Sequence, residues 1–511
     1  MKPIQISKTK EFILTLLIAI LYIGGVFVLL KIPGCGYHLV DDHEFTAWTY
    51  LLSQRQIPLM GLIKEYLISN MVIGRWRPLY LVMRGLFISV FGTDIRLYYI
   101  WAIIKTAVLF ILIYYMARSM EVGIIHSYLA AFISLTGYQS AAWWKLGTHE
   151  IVTAIWFSAG MILMIRYLKN GKRSSAIFSL ICYLIMSLYK ETYIVLIPFI
   201  CLYILYSDLQ SEQISFRACI QSLKKRCAYY SVMVLIFIVN IIIIRSLPRG
   251  EYIDIGITDS GISPLIESFG TDMKWFVSFG LIMAVILISH DVETIKIWPD
   301  AVLFATFILP QFVLFASTGM TERYLLPFSI GFALFYCCQA PMHMKIGHKR
   351  KYIYYGVMFL MLIAHMRAMW IEGNYYRYRG ESVTSMLNEI DIYTQAHPEH
   401  DPNILSCLYY EGNDLIYTHE LLEGHDRTYE IGIDWVDYTY TISPVSYTHF
   451  ITIESSQPEL DSYTDLSGID IIVAYNHEDR HWEYDVHEIL GKDLSGYKKT
   501  TCGTLDVYTR Q

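Results

Sequence analysis

Long apolar segments separated by short polar loops run through the first 370 residues of the chain. A membrane-spanning helix needs about 20 mostly apolar residues, and eleven of these segments are candidates for such helices. They lie at roughly 12–31, 97–117, 122–137, 150–168, 176–189, 192–206, 229–246, 275–290, 300–316, 324–341 and 353–370. Two shorter amphipathic segments, 44–55 and 78–91, predict helices that lie at the membrane surface.

The last 140 residues show a different pattern. The segments "NILSCLYY", "IDIIVAYN" and "TLDVYTR" predict short strands, whereas "ESVTSMLNEIDIYTQ" and "HWEYDVHEIL" predict helices. We therefore predict two parts. Residues 1–371 form an all-α polytopic membrane domain of about 11 transmembrane helices, and residues 372–511 form a small soluble α/β domain.

Composition and charge support this division. The 511 residues are 54% hydrophobic and 17% charged, with a mean hydropathy of +0.38, which excludes an ordinary soluble protein. Residues 372–511 hold 26 acidic and 8 basic residues, whereas the other 371 hold 20 acidic and 32 basic ones. Basic loops face the cytoplasm, so the pattern predicts a cytoplasmic N-terminus and an extracytoplasmic acidic domain in a multi-pass plasma (inner) membrane protein. The acidic domain argues against nucleic-acid binding.

With this orientation, charged residues gather at the outer helix ends, and charges next to a bilayer predict a functional site. The first outer loop, 32–96, contributes "VDDHEF" and "GRWRPLY". The whole set is Asp41, Asp42, His43, Glu44, Arg75, Arg77, Lys145, His149, Glu150, Lys190, Glu191, Glu322 and Arg323. A carboxylate can deprotonate a hydroxyl as a general base, and Arg and Lys can hold a phosphate. The combination predicts group transfer from a lipid phosphate.

Each of these residues also has a structural interpretation. The two aspartates fit a solvated helix end, Glu44 fits a helix N-terminus, and His43 and His149 fit structural roles. Lys190 with Glu191 fits a local ion pair, and Arg77 and Arg323 fit anchors at the lipid headgroups. The pair Trp143–Trp144 predicts an interfacial belt element. His149 and Glu150 could bind a divalent metal ion together with the first-loop acids, although the sequence shows no firm set of metal ligands.

The motifs resemble, in their order and spacing, those of the GT-C-fold glycosyltransferases. These integral membrane enzymes take sugars from polyprenyl-phosphate donors. "VDDHEF" resembles their acidic first-loop motif, "RWRP" their "RxRP" segment, "YKET" a "KE" between middle helices, and "TERYLLP" their "ERYLYLP". Over roughly residues 1–370, the chain is most similar to the protein O-mannosyltransferase and tetratricopeptide-containing O-mannosyltransferase group and its bacterial relatives.

The resemblance implies a role for each matching position. Asp41 or Asp42 would be the catalytic base or would position the acceptor. The donor phosphate would be bound by Arg75, Arg77, Lys190 and Arg323, and the supporting residues would be Glu44, His149, Glu150, Glu191 and Glu322. The chain lacks tetratricopeptide repeats and a "WWD" motif. Bacterial members that glycosylate surface polysaccharides, teichoic acids or lipids are therefore the better comparison.

We expect a membrane glycosyltransferase that moves a sugar from a polyprenyl-phosphate donor to a hydroxyl of a glycan, lipid or protein acceptor. The resemblance suggests a single displacement with inversion. A flippase or transporter of a lipid-linked saccharide is an alternative, although such proteins favour midplane charges and internal repeats. A polysaccharide polymerase or ligase is a further alternative. Such proteins usually carry a large late outer loop, and the 247–274 loop is only moderate in size.

Overall fold

The computed structural model of the chain describes most of the predicted membrane domain and parts of the soluble domain. The described residues are 7–209, 216–248, 297–315, 322–345, 348–399, 402–408, single positions between 412 and 422, 450–452, 466, 468–476 and 494–511. Within them, a large helical domain precedes a small five-stranded sheet. The predicted fold class, an all-α polytopic membrane domain followed by a small α/β domain, is confirmed.

Helices form almost all of the first domain. In chain order they are Lys8–Ala19, Ile20–Gly24 (a π-helical turn), Gly25–Leu29, Ile32–Gly34 (3-10), Glu44–Ser53, Leu59–Val72, Pro78–Phe91, Ile95–Ser119, Ile124–Leu135, Tyr138–Ser140 (3-10), Ala141–Trp144, Glu150–Asn170, Arg173–Tyr189, Glu191–Leu196 (3-10), Ile197–Leu209, Phe216–Lys225, Cys227–Ser246, Ile297–Leu314, Glu322–Tyr324 (3-10), Leu325–Lys345 and His348–Ala396. The first three run on as one apolar segment, Lys8–Leu29.

Among the residues that the structure describes, six helical segments are long and apolar enough to cross a membrane, by length and composition. They are Lys8–Leu29, Ile95–Ser119, Glu150–Asn170, Glu191–Leu209, Cys227–Ser246 and Tyr352–Ala396. Ten of the eleven predicted spans coincide with described helices, and the eleventh, 275–290, lies outside the described residues. The amphipathic segments at 44–55 and 78–91 are also helices, and the helix Leu59–Val72 between them was not predicted.

The longest helix, His348–Ala396, joins the two parts of the molecule. Its 49 residues rise about 1.5 Å each, so it extends well beyond the thickness of a bilayer. It passes without interruption through position 371, where the sequence places the domain boundary. Gly380 lies where the first loop crosses this helix, and a Cβ there would clash with the carbonyl oxygen of Cys35. The missing side chain therefore lets the first loop pack directly on the helix.

The soluble domain contains a sheet of order β2-β1-β3-β5-β4. Its strands are β1 Ile404–Cys407, β2 Phe450–Thr452, β3 Ile471–Tyr475, β4 Tyr497–Cys502 and β5 Leu505–Arg510. β1 pairs in parallel with β2 and β3, and β5 pairs antiparallel with β3 and β4. All five residues of β3 are buried, as expected for a central strand covered on both faces. The three predicted strands are confirmed, and the predicted helix "HWEYDVHEIL" lies outside the described residues.

The first loop lies between the two domains and contacts both. Leu39 is buried in the same apolar cluster as Val383 of the long helix and Leu505 of β5. The hydroxyls of Thr46 and Thr418 are 2.6 Å apart, which ties the loop to the soluble domain a second time. The soluble domain therefore supports the loop that carries the acidic motif.

The tryptophan pair of the "WWK" segment is placed differently from the prediction. Trp143 and Trp144 are both completely buried, and Phe27 packs against Trp144 with ring centroids 5.1 Å apart. The predicted interfacial belt is wrong, because both rings fill the interior between helices instead of facing lipid headgroups.

Candidate active site

The two adjacent aspartates of the first loop have different environments. The Asp42 side chain is completely buried, and its carboxylate accepts hydrogen bonds from the backbone N–H groups of His38, at 2.6 Å, and Val40, at 3.0 Å. Burial raises the pKa of Asp42 to about 6, although these backbone hydrogen bonds and the charge of Arg379 oppose the shift. Asp42 therefore stabilises the turn of the loop by binding its backbone N–H groups.

Asp41 instead reaches the surface of the site. Its backbone has a positive φ of 59°, which turns its side chain away from that of Asp42, and 36% of that side chain is exposed. Arg323 Nη1 donates to Asp41 Oδ2 at 2.8 Å. Burial alone would raise the pKa of Asp41, but the positive charges of Arg323 and Arg84 outweigh burial and hold the pKa below its usual range. Asp41 is therefore an ionised carboxylate that contacts a cation.

Arg323 connects Asp41 to a second acidic centre at the start of the Glu150–Asn170 helix. Its Nε lies 3.7 Å from Glu150 Oε1, and the Lys190 ammonium donates a hydrogen bond to the same oxygen and forms an ion pair with it. The Tyr324 ring lies under both cations, 5.2 Å from the Arg323 guanidinium and 4.5 Å from the Lys190 ammonium. Although burial opposes it, the charges of Arg323 and Lys190 lower the pKa of the Tyr324 hydroxyl. Asp41, Arg323, Glu150 and Lys190 therefore form one continuous network.

Three further ion pairs surround this network. Arg77 and Glu191 form a bidentate pair with both N–O distances at 2.6 Å, and Lys145 lies 3.5 Å from Glu322. The third pair joins Arg84 to Glu44 at 2.6 Å. Arg84 also donates to the backbone carbonyl of Asp41 and to the hydroxyl of Tyr80. The Pro78–Phe91 helix therefore holds the acidic segment around Asp41 and Glu44 in place.

The remaining predicted residues lie in the same region. Arg75 is half-buried and lies within electrostatic reach of Glu44, Glu191 and Tyr324. His43 is 4% exposed, and burial lowers its pKa to about 3, so its imidazole is neutral. His149 is 7% exposed, and neither ring nitrogen has a hydrogen-bond partner among the described residues. The structure thus brings together the outer charged set predicted from sequence, except for the Asp42 carboxylate, which faces the backbone of its own turn.

Several contributing residues were not predicted. Arg84 and Tyr80 lie on the Pro78–Phe91 helix, and Tyr324 lies inside the "TERYLLP" motif. The signal for Arg84 was present, because a buried Arg in an otherwise apolar helix requires a partner. Lys105, on the Ile95–Ser119 helix, carries the same signal: it is 3% exposed.

The charges of the site nearly cancel. Apart from Asp42 and Lys105, the described part of the site contains six cations and five carboxylates. The cations are Arg75, Arg77, Arg84, Lys145, Lys190 and Arg323, and the carboxylates are Asp41, Glu44, Glu150, Glu191 and Glu322. Arg323 Nε, although buried, has no hydrogen-bond acceptor in the described part of the chain. The arrangement therefore places the partly exposed Asp41 carboxylate next to guanidinium and ammonium groups with hydrogen bonds still to donate. In the described ranges, no group of three His, Cys, Asp or Glu side chains is placed to hold a metal ion.

Comparisons with known proteins gave matches only among solved structures. No protein-family model matches the sequence, and no curated protein matches it. ArnT from Cupriavidus metallidurans bound to undecaprenyl phosphate is 10% identical, over 98% of this chain and 98% of that chain, with a TM-score of 0.47. ArnT from the same organism in the apo state is 12% identical, over 96% and 97% of the two chains, also with a TM-score of 0.47.

The third structure is the Archaeoglobus fulgidus oligosaccharyltransferase tethered with an acceptor peptide that contains the NVT sequon. It is 11% identical over 80% of this chain, with a TM-score of 0.44. The chain spans only 62% of the length of that oligosaccharyltransferase. Because all three structures are at most 12% identical and have TM-scores below 0.5, none of them indicates what this protein does. Its function is therefore inferred from the side chains of the site. The helical membrane domain places an acidic first loop against basic residues from later helix ends, and a small α/β domain packs against that loop.

Proposed function

We propose that the protein is a membrane glycosyltransferase that moves a sugar from a polyprenyl-phosphate donor to a hydroxyl of a glycan, lipid or protein acceptor. The observation that carries the proposal is the contact between the partly exposed Asp41 carboxylate and Arg323. It joins a candidate base to a candidate phosphate ligand. The membrane-spanning helices around the site suit a lipid-linked donor.

In the proposed reaction, Asp41 takes the proton of the acceptor hydroxyl. The hydroxyl oxygen forms a bond to the anomeric carbon of the sugar while the bond from that carbon to the phosphate oxygen breaks. The electron pair of the broken bond stays on the phosphate, whose growing negative charge is stabilised by neighbouring cations. A single displacement of this kind inverts the anomeric centre and leaves polyprenyl phosphate as the second product.

Arg323 makes donor binding precede the activation of Asp41 as a base. Arg323 pairs with Asp41 and lowers the pKa of that carboxyl, which makes Asp41 a weak base. A donor phosphate competes for the same guanidinium, because phosphate binds Arg through two parallel hydrogen bonds. As Arg323 turns to the phosphate, the pKa of Asp41 rises toward the range that general-base catalysis needs. The base is thus activated when the donor is bound.

Lys190, Arg77 and Arg75 complete the proposed phosphate site. Lys190 is held by Glu150, and Arg77 by Glu191, so both cations stay in place without the donor. Arg75 is half-buried beside them. From the distribution of Lys and Arg between the loops, we also propose that the site faces the outside of the plasma membrane and that the N-terminus lies in the cytoplasm.

The proposal is tested with purified protein in lipid, radiolabelled polyprenyl-phosphate sugars and a cell-envelope acceptor fraction. We expect the label to move from the lipid to the acceptor and polyprenyl phosphate to appear. Movement of intact lipid-linked saccharide across the bilayer, without any new glycosidic bond, would support the flippase alternative instead.

Asp42 is expected to act on stability more than on chemistry. In Asp42→Asn the side-chain NH₂ meets one of the two backbone donors, His38 or Val40, and that hydrogen bond is lost. At about pH 4, where Asp42 is protonated in the folded protein, we expect the free energy of unfolding to fall by about 1–3 kcal/mol. Transfer by folded protein should be reduced less than about tenfold. Thermal unfolding and the transfer assay measure the two effects, and a transfer loss without a stability loss would contradict this role.

The pH dependence of stability gives a second check on Asp42. The folded pKa is about 6, above the ordinary value of 3.8, so the folded state binds the proton first. The contribution of this group to stability is therefore present at pH 4 and is lost as the pH rises through 6. Asp42→Asn should remove this part of the pH profile of unfolding.

Leu39 should couple the soluble domain to the first loop. Leu39→Ala removes a side chain that is 1% exposed between the loop, the long helix and β5. We expect a loss of about 2–5 kcal/mol in the free energy of unfolding and faster proteolysis of the loop. The control Val72→Ala, at a side chain that is 53% exposed, should change neither. Equal proteolysis of both variants would show that the loop does not depend on this contact.

A further inference from the structure

A cavity lined by Arg84 and Gly147 lies next to the backbone of Asp41. It is a partly open cleft, bounded by the Pro78–Phe91 helix, the N-terminal half of the Ile95–Ser119 helix and the loop before Glu150. Its walls include the aromatic rings of Phe45, Tyr80, Tyr98 and Trp101. The cavity is therefore rich in flat apolar surfaces, and a ligand in it extends into the open space at its mouth.

Two contacts attach this cavity to the proposed base. Gly147 lines it, and a Cβ on that residue would clash with the backbone of Asp41. Arg84 also lines it and donates to the carbonyl oxygen of Asp41. A group held in the cavity therefore lies next to the residue proposed to deprotonate the acceptor.

Two buried polar side chains in the cavity wall have hydrogen-bonding groups left over. His149 has no partner for either ring nitrogen among the described residues. Lys105, 3% exposed, donates only to the Thr148 carbonyl at 3.5 Å and forms no ion pair in the described ranges. An ammonium has three N–H donors, and burying it with one long hydrogen bond is costly. The nearby carboxylate of Glu150 already binds Lys190 and lies against Arg323.

We propose that this cavity holds the transferred sugar, that the sugar carries a carboxylate, and that Lys105 selects it. This inference rests on the proposed function. Aromatic walls suit the apolar faces of a sugar ring, while His149 and Lys105 bind its polar substituents. A polyprenyl chain in the same place would leave the Lys105 ammonium unpaired against hydrocarbon. A single ammonium beside a neutral imidazole matches the single charge of a carboxylate.

The test measures the affinity of full-length protein in lipid nanodiscs for three ligands. They are polyprenyl phosphate, the same lipid carrying glucose, and the same lipid carrying glucuronate. We expect wild-type protein to bind the glucuronate lipid at least about tenfold more tightly than the glucose lipid. Lys105→Met should abolish that preference and leave the affinity for the bare lipid phosphate within about threefold. His149→Gln should weaken both sugar-bearing lipids but not the bare lipid phosphate.

The wild-type comparison does not depend on the folding of any variant. Equal affinity of wild-type protein for the glucose and glucuronate lipids would overturn the inference. A parallel loss for all three ligands in Lys105→Met would assign the cavity to the lipid phosphate and would also overturn it. The exposed Lys64 provides a control, and Lys64→Met should behave as wild type.

The failure of this inference can be told apart from failure of the proposed function. Transfer of glucose and glucuronate at the same rate would reject the selectivity and keep the glycosyltransferase. Tight binding of the glucuronate lipid without transfer to any acceptor would keep the cavity assignment and reject the transferase.

Discussion

Asp41→Asn is expected to lower the rate of sugar transfer by about 10²–10⁴-fold, the usual contribution of a general base. Asn has nearly the same shape as Asp and keeps a carbonyl oxygen near Arg323, so the fold and the donor site should persist. It cannot accept a proton at neutral pH. The measurement is single-turnover transfer from a radiolabelled polyprenyl-phosphate sugar, with donor affinity measured separately on the same protein.

A matched control is available on the same stretch of chain. Asp94 is exposed, and its side chain caps the Ile95–Ser119 helix by accepting from the N–H of Arg96 at 3.1 Å. Asn caps helices as well as Asp does, so Asp94→Asn should transfer at the wild-type rate. Full transfer in Asp41→Asn, together with normal folding, would remove Asp41 from the chemistry.

Arg323→Met should have the second large effect, and it should show both in donor binding and in the pH profile. The substitution removes the guanidinium that contacts Asp41 and Glu150. We expect donor affinity to fall by about 10–100-fold, as for the loss of a charge-assisted hydrogen bond. Arg96→Met, at an exposed arginine, should leave the affinity unchanged.

The pH effect of Arg323→Met has a defined sign. Burial raises the pKa of Asp41, whereas Arg323 lowers it. Removing the Arg323 cation therefore raises the pKa of Asp41 in the free enzyme. The acid limb of kcat/KM should therefore move to higher pH, because Asp41 must be ionised to accept a proton. An acid limb that stays in place, or moves to lower pH, would show that Asp41 is not the titrating base.

The sequence predicted which charged residues would lie near one another, but not how they pair. Lys190 and Glu191 read as a local ion pair, yet Lys190 binds Glu150 and Glu191 binds Arg77. The backbone at Lys190 is extended, with φ −150° and ψ 114°, so neighbouring side chains point to opposite sides. Such a reversal depends on one backbone conformation, which composition and spacing do not determine.

The choice between Asp41 and Asp42 was beyond sequence reasoning for a similar reason. Both are acidic, adjacent and equally close to the predicted membrane face. The positive φ of Asp41 separates them, leaving one carboxylate bound to backbone N–H groups and the other beside Arg323. Only the folded loop shows which of the two a substrate can reach.

The soluble domain shows where strand patterns are informative. β3, "IIVAY", is buried on both faces and is therefore apolar throughout. This continuous apolar segment allowed the strand to be predicted from sequence. β4, "YKKTTC", was missed because its lysines belong to an exposed edge strand. β2 has only three residues, too few for a periodic signal. The apolar helices were predicted well because long hydrophobic segments need no tertiary information.

The measurement that tests the central claim most directly follows both products of one reaction. Purified protein in lipid receives a polyprenyl-phosphate sugar and an acceptor, and polyprenyl phosphate and glycosylated acceptor are measured over time. The account predicts that they appear in equal amounts, with the anomeric centre inverted, and that neither appears with Asp41→Asn. Glycosylated acceptor formed at the wild-type rate by Asp41→Asn, or no glycosidic bond formed from any polyprenyl-phosphate sugar, would contradict it.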